Sequence, residues 1–127
     1  MNTYTIVRPE HLNHHGYLFG GAMLRWVDEN AWLVASRDFC GCTLVTVAMD
    51  DVQFRKRAPS GSILRFEILP DRLGRTSVSY RVSVYADLPG SLGEEEVFST
   101  CVTFVGLDTA GNKQPLPRIT QFRSREA

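Results

Sequence analysis

One carboxylate stands out among the side chains that could perform chemistry. Asp28 lies in a stretch of helical periodicity, and the residues that share its line on the helix are apolar: Leu24, Ala31 and Ala35. A carboxylate that loses hydration in such surroundings can serve as a general base or a nucleophile. The same spacing also fits an acid that pairs with an arginine at an interface, so both roles stay open for Asp28.

A glycine pair lies near the start of the same helix. The segment 13–21 reads NHHGYLFGG, and the helical pattern begins at about residue 18. Free N–H groups at a helix start, reinforced by the macrodipole, can hold a carboxylate, a phosphate or a developing oxyanion. Gly20 and Gly21 would let a carbonyl group approach the backbone. Close packing of the helix on a sheet would explain the pair equally well.

The helix keeps these two candidates apart. Gly20 and Asp28 are eight residues apart, which is about 12 Å along one helix at the usual rise. Both groups of one chain therefore cannot act on the same carbonyl. If both take part in one reaction, they belong to different subunits, and the site lies across a dimer interface.

A long helix followed by strands is the predicted order of elements. Apolar residues recur at three- and four-residue spacing over residues 18–37 and alternate with a period of two after Cys42. Four strands are predicted at residues 44–54, 64–68, 77–85 and 98–104, with a shorter one near 4–8. Gly, Pro and Asp residues separate the last three strands, which favours antiparallel hairpins.

These elements predict an α+β fold in which a curved antiparallel sheet wraps around one long helix, because one helix cannot cover both faces of the sheet. Long strand edges invite pairing with a second copy, so at least a dimer is expected. We expect a single domain over residues 1–127, since 43% of the residues are hydrophobic and 22% are charged.

The composition argues against several kinds of partner. The 14 Lys and Arg residues balance the 14 Asp and Glu residues, so no basic field favours nucleic acid. No apolar run approaches the roughly 20 residues of a membrane span, and no signal peptide is visible. Three cysteines, an odd number, favour a reducing compartment, and a cytoplasmic location is predicted. His11, His14 and His15 lie in a loop without nearby acidic or sulfur ligands, so no metal site is predicted.

The segment HLNHHGYLFGGAMLRWVDENA, residues 11–31, resembles the N-x-x-G-x-L-F-G-G…W-x-D-x-x-A signature of hotdog-fold acyl-CoA thioesterases, in the acyl-CoA hydrolase branch. The run GRTS at 74–77 is similar to a strand opening of that family, and TFVGLDTAGNKQPLP at 103–117 to its last strand and exit. The similarity covers nearly the whole chain.

The resemblance implies a helix enclosed by a five- or six-stranded antiparallel sheet, with subunits paired edge to edge. Acyl-CoA would lie between the subunits and be hydrolysed to a carboxylic acid and CoA, with no cofactor because CoA is part of the substrate. Asp28 would be the general base or nucleophile, and Asn13 of the other subunit would position the water or the thioester. Gly20 or Gly21 would supply an oxyanion N–H. A homodimer is the minimal unit, and a tetramer or hexamer is expected.

Two segments are candidates for the CoA portion of the substrate. Arg57 stands where relatives often have proline and completes a positive cluster at 55–57, which could take the CoA phosphates. A solvated strand end fits the same cluster. Arg75, Thr76 and Ser77 are the second candidate, for the nucleotide or pantetheine end.

Two other functions stay open. His14 and Asp28, like His15 and Glu29, are fourteen residues apart, the His-to-Glu separation of hotdog-fold hydroxyacyl thioester dehydratases. Dehydration needs an imidazole and a carboxylic acid at opposite ends of a C–C–O unit, but the Pro-Gly-Val turn of that family is Phe-Gly-Gly here. The third possibility is a subunit that binds acyl-CoA as a sensor or an assembly partner without hydrolysing it.

Overall fold

One helix packs against one sheet in the computed structural model, which describes residues 1–124. In chain order the elements are β1 (Asn2–Ile6), a 3₁₀ turn (Pro9–His11), α1 (Gly20–Asp38), β2 (Thr43–Phe54), β3 (Ile63–Leu73), β4 (Ser77–Asp87), β5 (Glu94–Leu107) and β6 (Arg123–Ser124). The predicted helix and the five predicted strands are all present. The predicted domain extends three residues beyond the described range.

The sheet has the order β1-β3-β4-β5-β2, and each neighbouring pair on this path is antiparallel. β2 pairs with β5 rather than with β3, the next strand in the chain. β1 and β2 therefore lie at the two ends of this strand order. β6 is a two-residue strand parallel to β3. The sequence predicted only antiparallel neighbours; a strand of two residues has no alternation from which to predict it.

Alternating apolar residues on β4 fill the space between sheet and helix. The side chains of Val78, Tyr80, Val82 and Val84 are completely buried, and they belong to one core with the buried face of α1. The Tyr80 hydroxyl donates a hydrogen bond of 2.6 Å to Oδ2 of Asp38. Burial, aided by this bond, raises the pKa of Tyr80 well above its usual range. The bond ties the last residue of α1 to the centre of the sheet.

Loop contacts set the first residue of the helix. The Leu18 N–H donates to the Ala58 carbonyl, and the Phe19 N–H donates to the His11 carbonyl. Phe19 is extended, with φ −66° and ψ 132°, so α1 begins at Gly20 and not at residue 18. The two glycines therefore occupy the first turn of the helix.

The β2 edge is long but irregular. Its register with β5 shifts between Thr46 and Ala48 and again between Asp50 and Gln53, and Asp51 has a φ of 53°, which is uncommon for a residue other than glycine. Val47 and Phe54 on this strand are both more than half exposed. The long edge predicted from the sequence is therefore bulged, and it presents apolar side chains to solvent.

Candidate active site

The side-chain oxygen of Asn13 accepts hydrogen bonds from its own loop. Oδ1 accepts hydrogen bonds from the N–H groups of His15 at 2.9 Å and Tyr17 at 3.2 Å. Two backbone donors identify this atom as the oxygen of the amide. Nδ2 has no hydrogen-bond partner in the range 1–124. The amide nitrogen of Asn13 is therefore available to donate a hydrogen bond.

Asn13 and Gly20 line one cavity of about 550 Å³. Its apolar wall includes Leu18, Met23 and Val97. The Gly20 N–H is one of the orphan donors of the first helical turn and finds no acceptor in the described part of the chain. A Cβ at this position would lie 3.5 Å from the Phe54 ring. Two of the residues that line this cavity therefore carry an unpaired hydrogen-bond donor.

Gly21 belongs to a different surface. It lines a second cavity of about 480 Å³ together with Phe19 and Trp26. A Cβ there would come within 2.8 Å of the Phe19 ring, so packing against this ring accounts for the second glycine. The sequence left Gly20 and Gly21 as equal candidates for the oxyanion N–H, and only Gly20 lies in the cavity with Asn13.

Asp28 lies half-buried on α1, and its Oδ1 accepts a hydrogen bond of 2.6 Å from the hydroxyl of Thr46. Thr46 stands at the first register shift of β2. Sequence reasoning assigned this threonine no role, although it is a polar residue between Val45 and Val47 on an apolar strand. A hydroxyl that donates to one carboxylate oxygen orients the group and leaves Oδ2 free to accept a proton.

The positive cluster at 55–57 is only partly available to a ligand. Arg55 and Lys56 form ion pairs of 2.7 Å and 3.1 Å with two glutamates at the start of β5. The Arg57 guanidinium lies 5.2 Å from the ring centre of Tyr17, and it has no acidic partner among the residues described. All three line the Asn13 cavity, and Arg57 brings the uncompensated charge.

The candidate residues occupy opposite ends of the sheet. Phe54, at the Asn13 cavity, is paired with Phe98, whereas Ser77 is paired with Val105. These two positions on β5 are seven residues apart, which corresponds to about 23 Å. Thr46 lies at the Ser77 end. One chain therefore places Asn13, Gly20 and Arg57 at one end, and Asp28, Thr46 and the 75–77 segment toward the other.

His14 and His15 lie next to each other on the surface of the protein, beside the Asn13 cavity. The rings of His14 and His15 are exposed and 3.9 Å apart, and His15 lines the Asn13 cavity. Within residues 1–124, no group of three or more His, Cys, Asp or Glu side chains could hold a metal ion. No helix in this range is long and apolar enough to cross a membrane.

Comparison with known families shows which family the chain belongs to. Residues 15–91, more than half of the chain, match the model of the thioesterase superfamily. The chain belongs to the thioesterase superfamily. The hotdog fold and the acyl-CoA hydrolase resemblance predicted from the sequence are confirmed.

Two curated relatives show how far the similarity extends. The uncharacterized acyl-CoA thioester hydrolase YkhA of Bacillus subtilis is 33% identical over 121 residues, covering 94% of this chain and 69% of that protein. Acyl-coenzyme A thioesterase 11 of Mus musculus is 32% identical over 118 residues, covering 88% of this chain. The chain spans only 19% of the length of the mouse protein.

Solved structures have the same architecture. The acyl-CoA hydrolase of Staphylococcus aureus in complex with butyryl-CoA and CoA has a TM-score of 0.81 and 26% identity, over 100% of this chain and 75% of that one. HI0827, a hexameric broad-specificity acyl-coenzyme A thioesterase, has a TM-score of 0.81 and 25% identity, over 94% of this chain and 82% of that one.

Proposed function

We propose that this protein is an acyl-CoA thioesterase, which hydrolyses an acyl-CoA to a free carboxylic acid and CoA. The observation that carries the proposal is that two residues with unpaired donors, Asn13 at Nδ2 and Gly20 at its N–H, line the same cavity. Such donors stabilise the negative charge that develops on a thioester oxygen during attack. Membership of the superfamily and the CoA-bound hydrolase from S. aureus support the substrate class.

Asp28 supplies the other half of the reaction. As a general base it takes a proton from water while the water oxygen attacks the thioester carbon, and the C–S bond then breaks to release the CoA thiolate. As a nucleophile its carboxylate oxygen attacks the thioester carbon and the C–S bond breaks, which releases the CoA thiolate and leaves an acyl anhydride; water hydrolyses this anhydride in a second step to the free acid and the Asp28 carboxylate. After one turnover in heavy-oxygen water, label found on the Asp28 carboxyl identifies the anhydride route.

A second copy completes the site in this proposal. β2 is an edge strand with unpaired backbone groups and exposed apolar side chains. Two β2 strands paired about a twofold axis run antiparallel, which brings the Thr46 end of one chain beside the Phe54 end of the other. The partner's Asp28 then approaches the cavity of Asn13 and Gly20. The hexameric HI0827 supports an assembly larger than a dimer, such as a tetramer or hexamer.

The CoA portion of the substrate is assigned by charge and position. Arg57, with no acidic partner within the described range, takes the phosphates at the cavity rim. Arg75, Thr76 and Ser77 of the partner meet the nucleotide or pantetheine end, because the twofold arrangement places their turn near that rim. We also propose a cytoplasmic location, where the three free cysteines stay reduced.

Release of free thiol from a panel of acyl-CoAs tests this function. The purified protein should release CoA from at least one chain length, and Asp28→Asn should lower kcat by about 100-fold or more. An enoyl thioester formed from a 3-hydroxyacyl-CoA would instead indicate the dehydratase. Saturable binding of acyl-CoA without thiol release would indicate the non-catalytic subunit. Equal turnover by the wild type and Asp28→Asn would refute the role of Asp28.

A further inference from the structure

The turn between β3 and β4 accepts hydrogen bonds from β5 and from the segment that follows β5. We call residues 74–76 the turn and residues 113–118 the strap. The Arg75 carbonyl accepts a hydrogen bond of 2.9 Å from the Leu116 N–H, and the Thr76 carbonyl accepts one of 2.9 Å from the Gly106 N–H. The Gly74 carbonyl accepts one from Nη2 of Arg118. Every carbonyl of the turn is therefore occupied by β5 or the strap.

Arg118 joins the two segments. Its Nη2 also donates to the Leu116 carbonyl at 3.0 Å and lies 3.5 Å from the Arg75 oxygen. The guanidinium thus fastens the turn to the strap through carbonyl groups, and it has no ion pair with any residue that the structure describes. Arginine suits this role because its donors are held in a fixed plane.

The strap itself lies directly on β5. A Cβ at Gly106 would come within 2.7 Å of the Leu116 side chain and 3.1 Å of the Gln114 carbonyl. Leu116 is 5% exposed and belongs to the hydrophobic core. The strap is therefore packed against β5 and the core, and the turn is hydrogen-bonded to this packed segment.

The backbone N–H groups of the turn are not used in the same way as its carbonyl groups. The N–H groups of Arg75 and Thr76 donate to no residue within 1–124, and the Arg75 side chain is exposed. Because the carbonyl groups of the turn are occupied by β5 and the strap, its N–H groups and the Arg75 side chain remain for a ligand with acceptor oxygens.

We propose that Arg118 is a positioning residue for the nucleotide end of the substrate. It does not touch the ligand; it holds the turn in the conformation in which Arg75, Thr76 and Ser77 meet phosphate or ribose oxygens. This inference rests on the proposed function. If the turn had to be ordered during binding, the lost conformational freedom would weaken affinity. Loss of Arg118 should then raise KM for substrates that carry the nucleotide and leave kcat close to its original value.

Paired substrates isolate this effect. One acyl group is presented both on CoA and on N-acetylcysteamine, which has the reacting thioester without the nucleotide. Arg118→Ala should raise KM for the acyl-CoA by roughly 5- to 10-fold, with a change of less than about twofold for the short thioester. Lys113→Ala removes a positive charge from the same strap. Because the Lys113 side chain makes no hydrogen bond or ion pair with any residue within 1–124, this control should leave both KM values unchanged.

Three further measurements separate positioning from simple charge or folding effects. The KM increase of Arg118→Ala should persist at high ionic strength, where exposed charges are screened. Arg118→Lys keeps the positive charge but loses the planar donors, so it should restore little of the affinity. The double variant Arg75→Ala/Arg118→Ala should be less impaired than the product of the two single effects, because Arg118 acts through the turn.

Four outcomes would overturn the inference. Equal losses on both substrates would mean that Arg118 only supports the fold, and an effect that vanishes with salt would mean that its charge acts directly. Unchanged KM values for Arg118→Ala would show that the turn needs no such support. If the wild type hydrolysed both thioesters with equal KM, nucleotide recognition would be refuted, but the proposed thioesterase activity would still be supported. Absence of wild-type thiol release from either substrate would instead refute the proposed function.

Discussion

Asn13 uses the two ends of one amide for different purposes. Its oxygen closes the loop 13–17 by accepting two backbone N–H groups, and its nitrogen is left for a ligand. Asparagine can do both because it carries an acceptor and a donor without titrating. The preorganised loop means that the donor does not have to be ordered when substrate binds.

Asn13→Asp separates these roles. The aspartate retains an oxygen for the His15 and Tyr17 N–H groups but replaces the donor with an acceptor. We expect kcat/KM to fall by about 100-fold or more while Tm stays close to that of the wild type. Asn13→Ala should lower both activity and Tm, because it also leaves the two N–H groups unpaired. Full activity of Asn13→Asp in a thiol-release assay would exclude Nδ2 as the donor.

At the scale of elements, the position of α1 governs the geometry of the site. Its first turn presents Gly20 to the cavity, and its last residue is tied to the sheet through Tyr80 and Asp38. A carboxylate at a helix C-terminus faces the unfavourable end of the dipole. The buried hydroxyl offsets this by donating to it, which keeps the helix end attached to β4.

Tyr80→Phe tests this attachment. Removing the hydroxyl leaves Asp38 without its donor, and we expect the free energy of unfolding to fall by about 2 kcal/mol, measured by urea denaturation. Asp38→Asn keeps an acceptor for the hydroxyl and removes the charge, so its loss should be smaller. A Tyr80→Phe protein as stable as the wild type would show that the bond contributes nothing net.

At the scale of the whole molecule, the proposed site needs two chains. The helix separates Gly20 from Asp28, and the sheet separates the Asn13 cavity from the segment 75–77. In the proposed dimer, a twofold axis at the β2 edge brings Asp28 and the segment 75–77 of one chain close to the Asn13 cavity of the other. Asn13 and Asp28 should therefore function together only when they come from different protomers.

Complementation between two inactive variants tests this arrangement. Asp28→Asn and Asn13→Asp chains, mixed during refolding, form heterodimers with one intact and one doubly impaired site. Random pairing makes half of the dimers mixed, so roughly one quarter of wild-type activity should return. Each variant refolded alone is the control. If both residues acted within one chain, the mixture would stay as inactive as its components.

Local patterns in the sequence determined the elements. On β4, apolar residues alternate with polar ones, and only an extended strand directs every apolar side chain into one core. The apolar residues are Val78, Tyr80, Val82 and Val84. The helix and its approximate limits followed from the same kind of reasoning, because burial of one face sets the period of apolar residues. The separation of Gly20 from Asp28 followed from helix geometry alone.

Only the tertiary structure decided which candidate groups are free to act. Arg55 and Lys56 are neutralised by glutamates about 40 residues away, and Thr46 is joined to Asp28 across 18 residues. Arg118 reaches Gly74 over a separation of 44 residues. The period of a helix or strand shows which face is buried, but it does not specify which distant polar group will be the partner. Chain folding therefore decides which side chains remain available to a ligand.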